Sequence, residues 1–394
     1  MTTIQTETSL EEETNQEFQT GNIVTIVSGH AMHDTYSAFL APLLPLLINK
    51  LSMSLAVAGS LQFFVQIPAL LNPFIGYIAD RVSVRYFIIL APAVSATIFS
   101  LLGLAPSYLV LAIMLFAGGI SVAAFHAPAP AMISRISGKQ IGRGMSYFMA
   151  GGELGRTLGP LVVAWSVSAW TLEGMYPVMV VGWLASFILY WRLRNIPART
   201  DKPHDVRAML PIVRRLFGPL IVIVFFRAFM AVPFQTFLPT LLNFEGASLF
   251  LSSFSLTIWE LAGVAGALLG GTLSDRVGRK AVLFVALGLA PFLTLLFLQT
   301  PTSLLVPVLL IHGLVALSTN PVLMAITQEH MPNNRAVANG LFISITFFSR
   351  PVTAVIIGYF GDQFGLEAAY FWGALLSLGA IPAIFFLPEL KAGD

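Results

Sequence analysis

Ten ionisable side chains interrupt the long apolar stretches of this 394-residue sequence. They are three acids, three arginines and four histidines: Asp34, Glu153, Glu260, Arg156, Arg227, Arg350, His30, His33, His126 and His312. An ionisable group at membrane depth is costly, so it usually faces a cavity or a partner and carries function. The equal numbers of carboxylates and guanidiniums predict that many of them pair, and a paired charge can release its partner to a substrate.

Part of this set predicts a site that binds and releases protons. His30 and Asp34 are four residues apart and therefore share one face of a helix, whereas His33 points about a third of a turn away. Burial and a neighbouring charge act on such a pair in opposite directions, so it can exchange protons near neutral pH. Glu153 and Glu260 are further candidate proton carriers.

The arginines predict an anion site. Glu153 and Arg156 are three apart and are expected to form an intrahelical ion pair. Arg350 lies 194 positions beyond Arg156, almost the offset of an internal repeat described below, so the two guanidiniums would clamp a carboxylate, phosphate or phosphonate. The alternative is purely structural pairing, with Arg156 held by Glu153 or Asp34 and Arg350 held by Glu260.

Further candidate residues complete the predicted substrate-binding set. Arg227 lies near one end of its apolar run, where snorkelling toward the membrane surface competes with a role in a cavity. His126 closes a Phe-His pair and is either a gate or cavity residue or a structural histidine. Uncharged hydrogen bonds to a substrate are expected from Tyr36, Gln62 and Gln66.

The composition shows which elements must position these groups. The chain is 56% hydrophobic and only 10% charged, whereas soluble proteins are typically about one quarter charged, so a soluble enzyme is excluded. Apolar runs of spanning length predict twelve membrane helices. Their ranges are 22–48, 54–78, 86–105, 108–133, 142–170, 175–194, 214–242, 248–272, 281–299, 302–328, 335–360 and 366–388.

The distribution of the 21 lysines and arginines predicts the orientation. Seventeen fall in the loops after even-numbered helices or in the C-terminal tail, against Lys50 alone on the other side, so both termini are expected in the cytoplasm, with the chain in the cell (inner or plasma) membrane. The predicted parts are a disordered acidic tail, a six-helix bundle, a cytoplasmic linker, a second six-helix bundle and a C-terminal tail: 1–21, 22–194, 195–213, 214–388 and 389–394.

Several other functions are excluded by what the sequence lacks. With no cysteine there is no thiolate metal site, and without a P-loop or an HExxH motif neither ATP drive nor metal catalysis is expected. The net charge of +2 is too small to indicate nucleic-acid binding. No cofactor and no bound metal are therefore predicted.

A repeated loop carries a family resemblance. Gly76-Tyr-Ile-Ala-Asp80-Arg81 recurs as Gly271-Thr-Leu-Ser-Asp275-Arg276, and Gly278-Arg279-Lys280 follows the second copy. Both loops resemble the signature of the major facilitator superfamily, which implies an all-α polytopic fold of twelve helices in two pseudo-symmetric six-helix bundles. In that family the loops latch the outward-facing state. The gating residues implied by the resemblance are Gly76, Asp80, Arg81, Gly271, Asp275, Arg276 and Arg279.

The N-terminal half is similar to the fosmidomycin-resistance group of efflux proteins. The similar stretches are residues 29–36, Phe125-His126 and the glycine-rich run 151–160, although Ala127 and the Glu153/Arg156 pair depart from the group pattern. The resemblance implies a monomeric secondary transporter that works by alternating access in the lipid bilayer, with proton-coupled export (antiport) of small amphiphilic or anionic compounds such as drugs or phosphonates. Organic-anion uptake or exchange without proton coupling, or a non-transporting membrane sensor, are the alternatives.

Overall fold

The computed structural model describes residues 17–71, 85–138, 140–195, 210–331 and 335–388. Within these ranges the chain forms helices and turns and contains no strand, which confirms the all-α prediction. Both predicted tails lie largely outside the described residues, and so do nearly all of the predicted linker and the first signature loop with Gly76, Asp80 and Arg81.

The first half of the described chain, residues 17–195, contains eight α-helices. They are α1 (Thr20–Ser37), α2 (Leu40–Leu51), α3 (Leu55–Gln66), α4 (Arg85–Ser100), α5 (Tyr108–His126), α6 (Ala129–Ile136), α7 (Ile141–Gly174) and α8 (Met179–Leu193). A 3₁₀ turn, Ile67–Leu71, continues α3, and another, Tyr176–Val178, leads into α8.

The second half, residues 210–388, contains a further eight. They are α9 (Leu210–Val232), α10 (Leu238–Phe244), α11 (Leu249–Val277), α12 (Arg279–Leu298), α13 (Leu305–Glu329), α14 (Arg335–Phe364), α15 (Leu366–Ser377) and α16 (Ala380–Ile384). A π-helical turn, Pro233–Phe237, joins α9 to α10.

Nine helical segments within the described ranges are long and apolar enough to cross a membrane. They are Arg85–Leu104, Tyr108–His126, Tyr176–Leu193, Leu216–Phe244, Leu249–Val277, Arg279–Leu298, Thr302–Glu329, Leu341–Phe364 and Leu366–Ile384. The first, second and fifth of the twelve predicted spans are not among these nine segments. The first is divided by a break between α1 and α2, the second continues from α3 into residues that are not described, and the fifth, α7, carries several charges.

Prolines break two helices that the sequence pattern predicts as continuous. Pro42 has no amide hydrogen for the carbonyl of Ala38, and the chain leaves the helix between α1 and α2. Pro128 and Pro130 have the same effect after His126, where α5 ends and α6 begins. The predicted helices 22–48 and 108–133 are therefore each two helices, and His126 stands at the end of one of them.

A glycine-rich face of α7 packs against α1. A side chain on Gly159 would place its Cβ 2.6 Å from the carbonyl oxygen of Thr35, and one on Gly155 would overlap the carbonyl of Ala31. Small residues at every fourth position allow two helix backbones to approach this closely. The close packing brings the charged residues of α7 next to those of α1.

Hydrogen bonds join the two halves on one side of the molecule. The carboxylate of Asp362, near the end of α14, accepts the backbone N–H groups of Leu55 (2.6 Å) and Ala56 (2.9 Å) at the start of α3. These groups are free donors at a helix N-terminus, so a carboxylate from the other half caps α3. Deeper in the molecule, the hydroxyl of Thr257 donates to the carbonyl of Thr157 over 2.9 Å.

The face on which α2 ends, α3 begins and α14 ends is called the Lys50 face below. Lys50 donates there to Glu173 Oε1 at 2.8 Å and to the carbonyl oxygen of Gly103 at 2.5 Å. These bonds tie the end of α2 to the loop after α4 and to the end of α7. The hydrogen bond from Lys50 holds the pKa of Glu173 below its ordinary value.

Candidate functional site

Five ionisable side chains from α1, α5 and α7 meet inside the first half, and they are called the acid–histidine cluster. Its members are His30, Asp34, His126, Glu153 and Arg156. The Nε2 atoms of His30 and His126 are 3.1 Å apart, and each lies 3.4 Å from one carboxylate oxygen of Asp34. His30 and Asp34 are 3% and 2% exposed, whereas the His126 side chain is 34% exposed, so the cluster has a buried end at α1 and a more accessible end at α5.

Backbone carbonyls fix the proton positions on both rings. The Nδ1 atom of His30 lies 2.8 Å from the carbonyl oxygen of Phe148, and that of His126 lies 2.9 Å from the carbonyl oxygen of Val122. A carbonyl oxygen only accepts, so each Nδ1 carries a hydrogen. In their neutral forms both Nε2 atoms then present lone pairs to each other and to the Asp34 carboxylate. One proton placed between them turns these repulsive contacts into hydrogen bonds.

Arg156 closes the cluster on the side of α7. Its Nη1 atom lies 3.5 Å from Asp34 Oδ2, and its Nη2 atom donates to Glu153 Oε1, so the predicted intrahelical ion pair is present. Gly152 makes room for this arrangement, because a Cβ there would lie 2.6 Å from His30 Nε2 and 3.0 Å from Asp34 Oδ2. Asp34 is thus shared between a pair of histidines and a guanidinium.

His30, Asp34 and His126 also form, within the described part of the chain, the group whose ligand atoms lie close enough together to hold a metal ion. The positive charge of Arg156 beside Asp34 disfavours a metal cation in this position. His33, the neighbouring buried histidine, stacks on Phe125 and lacks a hydrogen-bond partner for either ring nitrogen among the described residues. The arrangement is better suited to a proton than to a metal.

Glu260 connects the cluster to the second half. It is 9% exposed on α11, the helix that packs against α7. The charges of Arg156 in the first half and of Arg350 in the second both act on its carboxylate, and the Gln235 side chain lies near it. Glu260 is therefore positioned between an arginine of each half.

Arg227 and Arg350 line one small cavity inside the second half. Gln235, from the π-helical turn, and Asn320, from α13, share its wall. Arg227 is 4% exposed, so it does not snorkel to the membrane surface; its Nη1 donates to the hydroxyl of Thr319 at 3.1 Å. The structure thus places Arg350 beside Arg227, whereas Arg156 is bonded to Asp34 and Glu153.

Three predicted polar side chains, Tyr36, Gln62 and Gln66, lie outside both the acid–histidine cluster and the cavity lined by the two arginines. The hydroxyl of Tyr36 donates to the carbonyl of Val178 (2.6 Å) and accepts the N–H of Gly182 (3.1 Å), so it anchors α1 to α8 and its side chain is 2% exposed. Gln66 donates to Gln62 along α3 over 3.3 Å. These side chains bond within the first half and do not join the acid–histidine cluster.

The second signature loop forms a network inside the second half. Arg279 donates to Glu329 at the end of α13 (2.6 Å) and pairs with Asp275 (2.6 Å), while it also reaches the carbonyl of Gly271 (3.5 Å). Arg276 is exposed. In this structure the described contacts of Arg279 stay within its own half, and the partner loop with Asp80 lies outside the described residues.

Some residues of evident importance carry no sequence signal. In the sequence, Asp362 lies just beyond the predicted helix 335–360, and nothing indicates that it caps α3 from 307 residues away. Gly152 belongs to the glycine-rich run, but its contact with His30 depends on the register between α1 and α7. The pairing of His126 with His30 joins residues 96 positions apart. His312, by contrast, has both ring nitrogens bonded, to Trp259 and Thr294, as expected of a structural histidine.

Comparison with known proteins gives a family match over most of the chain. The family model described as Major Facilitator Superfamily matches residues 26–350 and, in a second match, residues 234–393. The Fosmidomycin resistance protein of Escherichia coli (strain K12) is 25% identical over 387 residues, which cover 95% of this chain and 94% of that protein. The uncharacterized MFS-type transporter YfnC of Bacillus subtilis (strain 168) is 24% identical, over 93% of this chain and 91% of its own length.

Solved structures share the fold at low sequence identity. A D-xylose-proton symporter superposes with a TM-score of 0.76 at 16% identity, over 95% of this chain and 99% of its own. A bacterial homolog of the human lysosomal transporter Spinster, in an inward-facing and unoccupied conformation, gives a TM-score of 0.72 at 17% identity, over 94% of this chain and 95% of its own.

Proposed function

This chain belongs to the Major Facilitator Superfamily, and we propose that it is a proton-coupled member that exports small amphiphilic or anionic compounds by antiport. As a member of this family it is a multi-pass membrane transporter and not an enzyme. The proposal concerns the coupling ion, the class of substrate and the direction. It is supported by one observation above the others, the contact of His126 with the buried side chains of His30 and Asp34.

The acid–histidine cluster can exist in two charge states. Without an added proton, Asp34 is balanced by Arg156 at 3.5 Å, and the two Nε2 atoms face each other unprotonated. With one proton shared by the two histidines, a second positive charge lies 3.4 Å from Asp34. Two cations then compete for one carboxylate, so protonation weakens the hold of Asp34 on Arg156.

Arg156 passes this change to the interface between the halves. It lies on α7, which packs against α11, and its charge acts on Glu260 of that helix. A proton bound near His30 therefore alters the electrostatic balance across the contact between α7 and α11. Alternating access requires such an element, because bound ions must favour one arrangement of the halves over the other.

The direction and class of substrate are supported by a relative and by the sequence. The name of the Escherichia coli relative describes resistance to fosmidomycin, which favours export of a drug-like compound. The glycine-rich run 151–160, which belongs to the similarity with the efflux group, forms the face of α7 that packs against α1. We further propose that the protein is a monomer in the cell (inner) membrane. Both termini are proposed to lie in the cytoplasm, because the basic residues concentrate in the loops expected on one side of the membrane.

Proton movement in proteoliposomes tests the proposal. The purified chain is reconstituted with a pH-sensitive dye inside, and fosmidomycin, phenylphosphonate, benzoate and one neutral amphiphile are supplied in turn. At least one compound should move protons in the opposite direction, and Asp34→Asn should abolish this movement. The matched control is Glu367→Gln, which removes an exposed carboxylate at the start of α15. Substrate flux that is indifferent to the pH gradient contradicts the proposal.

A second candidate function is uptake or exchange of an organic anion without proton coupling. It is favoured by Arg227 and Arg350, which bring two positive charges to one cavity without needing a proton. The same vesicles distinguish the two functions, because anion exchange proceeds at equal rates with and without a pH gradient.

A further inference from the structure

We propose that Arg227 and Arg350 form an anion-binding site inside the second half, separate from the acid–histidine cluster, for the phosphonate, phosphate or carboxylate head of the transported compound. The inference rests on the proposed transport function and names the substrate class that this function leaves open. The sequence repeat predicts a clamp of Arg156 and Arg350. The proposed site instead pairs Arg350 on α14 with Arg227 on α9.

The cavity supplies the geometry. Arg227 on α9 and Arg350 on α14 line it together, and Asn320, Ser349 and Gln235 add uncharged hydrogen-bonding groups. Arginine suits this role because its planar fork of N–H groups matches the oxygens of carboxylates and phosphates. Amide and hydroxyl groups beside two guanidiniums can complete the shell of donors around a small oxyanion.

The charges of the cavity are not balanced. Among the described residues no carboxylate contacts Arg227, and the charge that acts on it is the like charge of Arg350. Its Nε atom is buried without a hydrogen-bond partner, and Nη1 reaches only a threonine hydroxyl. A buried cation without a counter-charge is costly, and an anionic ligand can supply that counter-charge.

Arg156, by contrast, has counter-charges. It is bonded to both Glu153 and Asp34, so its charge is already compensated within the first half. Arg350 has weaker internal counterparts, because the charges of Glu260 and Glu153 both act on it but neither forms a direct ion pair with it within the described residues. Of the three arginines, Arg227 is the buried one, at 4% exposed, and it has the largest unmet demand for an anion; Arg350 lies beside it in the wall of the cavity.

The size of the cavity limits what it can hold. Its free volume of about 30 Å³ accommodates a water molecule or a small polar group and not a drug-sized molecule. We therefore assign it to the anionic head of a ligand, with the remainder of the ligand outside the cavity. Glu260 is the internal anion with which this head competes for Arg350.

Binding measurements on the purified full-length protein test the site without requiring transport. Isothermal titration with phenylphosphonate is compared with its uncharged dimethyl ester, which keeps the ring and removes the charge. Binding of the anion and not of the ester is expected, with at least a tenfold loss of affinity in Arg227→Gln and in Arg350→Gln. Glu260→Gln should increase the affinity, because it removes the competing carboxylate.

Two control variants distinguish this site from the clamp of Arg156 and Arg350. Arg192→Gln, which removes an exposed arginine at the end of α8, should bind like the wild type. Arg156→Gln should lose less affinity than Arg227→Gln and Arg350→Gln, because the charge of Arg156 is compensated by Glu153 and Asp34. Equal losses in Arg156→Gln and Arg350→Gln with none in Arg227→Gln would instead restore the clamp predicted from the repeat. Failure of the wild type to bind phenylphosphonate overturns the inference.

Thermal unfolding distinguishes a variant that folds poorly from one that has lost only its anion-binding site. Without anions, Arg227→Gln should unfold at the same or a higher temperature than the wild type, since it removes a buried uncompensated charge. Added phenylphosphonate should raise the unfolding temperature of the wild type and not that of Arg227→Gln. A lower unfolding temperature of this variant without anions shows a structural role and overturns the proposal. Because Asp34→Asn should keep phenylphosphonate binding, loss of proton coupling and loss of the anion site can be told apart.

Discussion

Replacing Gly152 by alanine tests whether the acid–histidine cluster depends on the contact between α1 and α7. The added Cβ would lie 2.6 Å from His30 Nε2 and 3.0 Å from Asp34 Oδ2. Restoring a normal separation of about 3.5 Å requires the imidazole to move by roughly 0.9 Å. A shift of this size cannot keep both the 3.1 Å contact with His126 and the 2.8 Å bond to the carbonyl of Phe148.

The magnitude follows from opposing effects. Overpacking of a filled site costs about 1–3 kcal/mol, and loss of a buried hydrogen bond costs a further 1–3 kcal/mol. Alanine is favoured over glycine in a helix by about 1 kcal/mol, which offsets only part of this. We expect Gly152→Ala to lower the unfolding free energy by roughly 1–5 kcal/mol and proton-linked transport by at least tenfold.

The matched control is Gly288→Ala on α12, where an added Cβ meets no atom within 4 Å. This substitution should leave transport unchanged and stabilise the protein by about 0.4–1 kcal/mol. Thermal unfolding in detergent and proton movement in proteoliposomes measure both quantities on the same preparations. If Gly152→Ala matches the wild type in coupling and in stability, the close contact with His30 is not required and the reasoning is refuted.

Three further predictions concern the cluster and the Lys50 face. Asp34→Asn should remove pH-driven transport but leave membrane expression intact, as followed by dye-reported proton flux and by the amount of protein in the membrane. Asp362→Asn should weaken the cap on α3, since an amide oxygen replaces two accepting carboxylate oxygens, and spin-label distances should show the halves separating on the Lys50 face. Lys50→Gln should lower stability at neutral pH, and the difference from the wild type should vanish as acid protonates Glu173 below about pH 4.3, because the pKa of that group is lowered in the folded protein.

Each of these predictions has an outcome that contradicts it. Full coupling in Asp34→Asn removes this carboxylate from the proton site. Unchanged spin-label distances in Asp362→Asn, with Gln363→Ala as the control, show that the cap does not hold the halves together. A stability difference for Lys50→Gln that persists at pH 3 shows that the lysine acts through contacts other than Glu173.

The sequence predicts local features of this molecule better than it predicts pairings across the chain. Contacts at helical spacing, His30 with Asp34 and Glu153 with Arg156, follow from residue type and the geometry of one helix. The ends of most helices also fall near the changes from apolar to polar residues. These features depend on neighbours in the chain, so composition and spacing are enough to predict them.

The partner of each buried charge depends on helix packing. The sequence repeat relates Arg156 to Arg350, but it does not reveal that Glu153 and Asp34 bind the first of them. Arg227 has an apolar route to the membrane surface by sequence, and only the packed structure shows it buried beside Arg350. The breaks after Ser37 and His126 are likewise set by prolines whose effect changes with the packing around them.

The separation of the two charge sites between the halves has an electrical consequence. Asp34 and its histidines lie in the first half, whereas Arg227 and Arg350 lie in the second. Exchange of one inbound proton for one outbound monovalent anion moves two charges in the same electrical sense, each worth about 2.3 kcal/mol per 100 mV. A membrane potential that is negative inside would therefore drive such a cycle even when the pH is equal on both sides.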